Sequence, residues 1–275
     1  MKKFNKFTKL SLALIAINST AVSAHSVQLQ VKIDNIGPSN GVSLTPVWVG
    51  FHNGSFDSYD GGARSSAAIE AIAEDGNVDP ITSSFSGTAG GVQGVVLGNE
   101  PPLINPGESG VSQFTVEGDG SVNKYFSYAS MVLSSSDYFI ANGNPFAHDI
   151  SSILDGTENE ITFFIGTPGT INDAGTEIND FNTSAGNGLF AGLPAGQTGP
   201  NQGADENGII TSVDDAYGNF LNIPNGFDLS GLDFNQYPNG IASVTITAVP
   251  VPGALPLAAT GLSMLIGMAR LRRKS

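Results

Sequence analysis

The chain has 275 residues, with 35 Gly, 15 Pro and no Cys, and a net charge of −14. The missing cysteines exclude a disulfide framework and any thiol nucleophile. Eight of the eleven basic residues lie in the two ends; between them three remain against all 25 acidic residues, a net of −22. That field repels nucleic acid and anionic headgroups and draws divalent cations.

Residues 1–24 read as a secretory signal peptide: four lysines, an apolar run too short to span a bilayer, and small residues ending at Ala24. Cleavage there leaves His25 as the first residue. Residues 26–36 alternate, with Val27, Leu29, Val31 and Ile33 on one face and Gln28, Gln30, Lys32 and Asp34 on the other. This is the pattern of a half-exposed antiparallel strand. Residues 44–51 predict a second, more buried strand, with Pro46 marking an edge or bulge. Residues 64–75 predict the one helix of the mature chain; Ala68, Ile69 and Ile72 share a face and Gly76 stops it. Glu70 and Glu74 sit four apart and repel, so this helix needs packing against a sheet.

Residues 82–112 are rich in Gly and Ser around one apolar cluster, Val92, Val95, Val96 and Leu97. Residues 113–117 predict a short strand, and residues 118–120 a tight turn into the next. That next strand, from Tyr125 to Leu133, carries aromatics and small residues before Met131, Val132 and Leu133, and runs into Ser134, Ser135, Ser136 and Asp137 before Tyr138, Phe139 and Ile140. A carboxylate at the mouth of a buried strand, flanked by hydroxyls, is held in position. Residues 160–166 are another apolar strand, followed by a Gly/Pro turn and then Asp173. Two such strands, paired antiparallel, would bring Asp137 and Asp173 to one end of a sheet. Oxygen ligands gathered on loops suit Ca²⁺.

Residues 166–239, mostly Gly, Asn, Asp and Pro, are too long for an ordinary connection, which predicts short hidden strands or partial mobility. The acidic stretches Asp205-Glu206-Asn207-Gly208 and Asp214-Asp215 lack the full spacing of a calcium loop and read as turns. Residues 241–249 form a last alternating strand. The tail places Val249-Pro250-Val251-Pro252 before an apolar tract, residues 255–269, and a closing cluster of Arg270, Arg272, Arg273 and Lys274. This is the order of a marginal membrane helix with positive charge on the cytoplasmic side.

Four stretches resemble the spondin N-terminal domain family, whose animal pattern is roughly P-S-P-D-W-F followed by D-A-G-T-D. The first stretch reads Ser134-Ser135-Ser136-Asp137-Tyr138-Phe139 and the second Asp173-Ala174-Gly175-Thr176-Glu177. Trp48-Val49-Gly50-Phe51-His52-Asn53 resembles the family's tryptophan–histidine strand, and residues 64–76 its helix. The likeness covers residues 26–182 and the last strand. It implies an antiparallel β-sandwich over residues 25–248 with Ca²⁺ held by Asp137, Asp173 and, as third ligand, Glu117. The tail, residues 249–275, resembles the PEP-CTERM sorting signals of bacteria in the variant written V-P-x-P. That likeness implies a Gram-negative envelope protein held in the inner membrane by residues 255–269. An exosortase-type peptidase would process it, and it would act beside extracellular polysaccharide or a cell-surface protein.

The expected function is therefore a secreted, calcium-binding adhesion module with no catalytic residues. An alternative is a polysaccharide-active enzyme: a copper monooxygenase using His25 with His52 or His148, or a glycosidase using one of many carboxylate pairs. No H-E-x-x-H motif is present.

Overall fold

The structure, a computed structural model, describes residues 26–99, 101–213 and 217–250. The leader with His25, the segment beyond Pro250, and Asp214 and Asp215 lie outside the described residues.

Two antiparallel sheets face one another. The smaller has four strands in the order β5 (Ser109–Glu117), β1 (Ser26–Asn35), β11 (Ala242–Val249), β8 (Glu160–Ile165). The larger runs β10 (Thr211–Ser212), β9 (Ile171–Asp173), β7 (Tyr138–Ala141), β6 (Tyr125–Leu133), β3 (Val47–His52), β4 (Val92–Val96), with β2 (Ser43–Leu44) also paired to β6. The predicted β-sandwich is the observed fold.

The alternation of β1 does what its sequence demands. Leu29, Val31 and Ile33 are fully buried and meet Val47, Val49 and Phe51 of β3 and Phe126, Tyr128 and Val132 of β6 in one core. Gln28 and Gln30 stay on the outer face, opposite Thr115 and Gln113 of β5. By contrast β6 shows no alternation, because the larger sheet is covered on both faces. Its second face carries a separate apolar cluster, in which Trp48, Phe56, Ile69, Ile72, Ile81, Phe85 and Phe139 pack together.

Two helices supply that outer layer, not one. The helix α1 (Ala67–Asp75) is capped by Ser66, whose hydroxyl accepts from the Ile69 N–H, and ends at Gly76 in the left-handed region at φ 62°. Glu70 and Glu74 do not stop it, since Ile69 and Ile72 are fully buried against the sheet. A second helix, α2 (Asp79–Phe85), was not expected from the sequence. Pro80 opens it at a position where the missing N–H costs nothing, and Ile81 and Phe85, one turn apart, are its buried contacts. A one-turn helix α3 (Ser151–Leu154) follows β7. Among the described residues no helix is long and apolar enough to cross a membrane.

The pairing around Asp137 differs from the sequence expectation. The strand at residues 160–165 does not neighbour β6; it pairs with β11 in the other sheet. The partner of the segment after Asp137 is the short β9, with Tyr138 opposite Asp173. The described part of residues 166–239 carries β9, β10 and three 3₁₀ turns, and its aromatics extend the main core. Phe181 lies parallel to Tyr217 at 5.7 Å and meets Phe220 at 4.8 Å, while Tyr138 meets Phe220 at 5.4 Å.

Candidate metal centre

The peptide run from Ser134 to Asp137 is fully buried. Burial obliges each hydroxyl to find a partner, and each does. Ser134 Oγ donates to Asn187 Oδ1. Ser135 Oγ donates to the Val132 carbonyl at 2.6 Å and accepts from the Tyr138 N–H at 3.0 Å. Ser136 Oγ accepts from the Asp180 N–H at 3.1 Å and shares a hydrogen bond with Ser184 Oγ. Tyr217 donates its phenol to the Ser134 carbonyl at 2.6 Å, which ties the aromatic cluster to the same loop. The serines thus fix the loop that carries Asp137.

Asp137 meets the 173–177 segment through both backbone and side chain. Its carbonyl accepts from the Ala174 N–H, and its Oδ2 accepts from the N–H groups of Thr176 at 2.8 Å and Glu177 at 3.1 Å. Its other oxygen, Oδ1, is buried and has no hydrogen-bond partner. Asp173 Oδ1 accepts from the Gly175 N–H at 2.7 Å, and Oδ2 from Asn179 Nδ2 at 2.7 Å. The amide oxygen of Asn179 is also buried without a partner.

The third carboxylate is Glu206. Residues 175–178 and 204–208 run side by side: Glu206 N–H donates to the Thr176 carbonyl at 2.8 Å, Gly208 to Gly175 at 2.7 Å and Ile178 to Ala204 at 2.9 Å. This brings one oxygen each of Asp137, Asp173 and Glu206 within 4.8 Å of one another. Gly175 makes the approach possible. Its φ is +65°, and a Cβ there would lie 2.6 Å from the Ile209 carbonyl oxygen. Gly175→Ala is therefore expected to cost about 1–3 kcal/mol in a urea titration, from left-handed strain and from pushing the 206–209 segment away.

Glu117 is not in this group. It is the last residue of β5, exposed and paired opposite Ser26 in the smaller sheet. Its N–H is held by Asn123, next to the start of β6, whereas Asp137 follows the far end of β6. The nine residues of β6 stand between them, roughly 25 Å at about 3.3 Å per residue. Glu206, in a stretch read from sequence as a turn, takes the third place. The only sequence signal for it was the acidic run at 205–206, since its partner segment lies about thirty residues upstream and pairs by backbone bonds alone.

The electrostatics follow from burial. The Asp137 carboxyl is pushed up to about 8, first by burial and then by the charge of Asp173, against the pull of two N–H bonds. Burial also raises Asp173 and Glu206, the latter further through Asp173. Nearby Glu177, with both oxygens buried and unpartnered, is raised to about 7 by burial. Ion pairs among the described residues are Lys32–Asp34 and Lys124–Asp149, and neither touches the group. Three carboxylates with no counter-charge, one of them carrying an orphaned buried oxygen, make a donor set of hard oxygens. It fits Ca²⁺ or Mg²⁺, and no nitrogen or sulfur donor belongs to it.

The two described histidines, His52 and His148, are engaged elsewhere. His52 is fully buried; its Nδ1 accepts from the Gly54 N–H at 2.9 Å, so Nε2 carries the proton and donates to Ser127 Oγ at 2.8 Å. No ring lone pair is left for copper. His148 stacks on Phe163 at 4.0 Å. Burial lowers both rings to about 4, keeping them neutral.

Fold and site together define an acidic, disulfide-free β-sandwich with an oxygen-only carboxylate centre beside its larger sheet. No family model matches the chain, and no curated protein matches it.

Proposed function

We propose that the chain is a calcium-binding adhesion module of the bacterial cell envelope. Its leader, residues 1–24, directs secretion, and its tail, residues 249–275, serves as the sorting segment read by an exosortase-type peptidase. The observation that carries the calcium reading is the orphaned Asp137 Oδ1, fully buried beside two more carboxylates with no cation to balance them. Ionising a buried carboxyl without a partner costs several kcal/mol, and a bound divalent ion is what offsets that cost. Ca²⁺ takes about six to eight oxygens, so Asp137, Asp173, Glu206 and the Asn179 amide oxygen would be completed by carbonyls and water. The order of motifs around Asp137 and Asp173 supports the spondin-like reading, with Glu206 in the role expected of Glu117.

Calorimetric titration of the full chain with calcium tests this. One site is expected, weakened at least tenfold in Asp137→Asn, Asp173→Asn and Glu206→Gln and unchanged in Glu117→Gln. Equal binding by all four variants would remove the centre, and magnesium binding as tight as calcium's would remove the calcium assignment.

A further inference from the structure

One cleft has a volume of about 820 Å³, within the usual range for small-molecule sites. It opens between the turn after β1, the turn before β5, and two loops at 189–192 and 224–228. We propose that this cleft binds a neutral saccharide chain. It is distinct from the carboxylate centre, and it gives the adhesion reading a ligand class.

The lining decides the chemistry. Its only charged residue is Asp228, and it holds no lysine, arginine or histidine. In a chain whose interior carries −22, a cleft with no cation disfavours phosphate, sulfate and uronate ligands. The polar lining is Ser39, Asn40, Ser43, Asn105 and Asn225 with Asp228, groups that donate and accept in the pattern hydroxyls need. Among the described residues, no hydrogen bond to the protein engages the side chains of Ser39, Asn40 or Asn225. Asn105, in contrast, is fixed by Ser43 and Glu108, with bonds of 2.9 Å each.

The apolar lining is equally specific. Phe190 and Phe227 are half-buried and packed against the core, and both line the cleft beside Leu189, which is 41% exposed. A pyranose presents a ring of axial C–H groups that lies on such a face, while its equatorial hydroxyls reach the amides around it. A peptide in extended form would need a free strand edge. The nearest strand, β2, has none: Leu44 is bonded to Ile104 in both directions and paired to Val132 on its other side.

The wall bearing Leu189 and Phe190 hangs from the buried serine run. Ala185 N–H donates to the Ser135 carbonyl at 2.9 Å, and Asn187 takes the Ser134 hydroxyl. Saccharide binding is therefore measured with calcium held in excess.

The test is calorimetry of the full chain against three neutral hexaoses of different linkage, cellohexaose, mannohexaose and isomaltohexaose, with hexagalacturonic acid as the anionic probe. At least one neutral hexaose is expected to bind and hexagalacturonic acid is not. Phe227→Leu keeps the apolar contact with Phe181 and removes the aromatic face, and Asn225→Ala changes an exposed side chain. Each is expected to weaken binding at least tenfold while the calcium titration of the same sample stays unchanged. The proposal is overturned if no neutral hexaose binds, if both variants bind as the parent does, or if the anionic probe binds as well as the neutral ones. Loss of calcium binding in Asp137→Asn with saccharide binding intact would overturn neither the cleft nor its ligand class, and failure of the hexaoses leaves the calcium reading standing on its own titration.

Discussion

Saturating calcium, about a hundredfold above its dissociation constant, is expected to stabilise the protein by about 2.7 kcal/mol, raising its unfolding temperature by roughly 5–10 °C. Chelator should reverse the shift, and magnesium at the same concentration, which would reproduce simple screening of an acidic chain, should give a small part of it. The effect depends on pH in a defined direction. The Asp137 carboxyl holds its proton up to about 8 in the folded protein and releases it near 3.8 when unfolded. Between these values the folded state binds more protons than the unfolded one, so calcium-free stability falls as pH rises from about 4 to about 8. Each pH unit over which the full difference persists removes up to about 1.4 kcal/mol. Asp173, Glu206 and Glu177 shift the same way and add to the slope. Calcium takes the ionised form, so its stabilisation grows across this window. Asp137→Asn should flatten the calcium-free profile and abolish most of the calcium shift. A flat parent profile, or a full calcium response in that variant, would sink the centre.

Phe181→Ala is expected to cost about 3–5 kcal/mol, measured by denaturant titration at fixed calcium. Phe181 is fully buried, stacked on Tyr217 and in contact with Phe220 and Phe227. It lies beside Asp180, whose N–H holds Ser136, so the cavity left behind opens directly under the Asp137 loop. The comparison is Phe146→Ala, at a residue 56% exposed, where a change within about 0.5 kcal/mol is expected. Equal small costs at both positions would show that the 177–237 region adds nothing to the cooperative core.

The contrast between these phenylalanines marks where the sequence was readable. Period-two alternation in β1 and β11 and the Gly76 stop are local signals, and each marks the element expected from it. The α2 helix was missed because seven residues with two buried contacts give too short a period to see against Ser and Thr. Phe181, Tyr217, Phe220 and Phe234 are spread through Gly- and Asn-rich turns, so no periodicity betrays that they meet. The same limit governed the site. Asp137 was legible because a buried strand ran straight into it, and Asp173 because its motif was distinctive. Which strand joined them was not legible: β8 is longer and more apolar than β9, yet its exposed Thr162 and Phe164 place it at the edge of the smaller sheet. Glu206 depends on backbone pairing between two irregular segments, which leaves no side-chain pattern to read.

The arrangement of β1 and β11 has a mechanical consequence. They are antiparallel neighbours, with Gln28 opposite Val249, so the described chain enters and leaves at the same end of the sandwich. The cleft lies at the opposite end, past Asn35 of β1 and near the start of β11 at Ala242. Tension that drew the two chain ends apart would peel β1 from β11 one residue pair at a time. Tension between the C-terminal end and an occupant of the cleft would instead run along β11, which is bonded over eight residue pairs to β1 and six to β8. Those bonds lie perpendicular to the strand and would be sheared together, so that they must fail at once. Under the function proposed above, with the chain held at its C-terminal end and gripping through the cleft, load falls in the direction in which this sheet resists most.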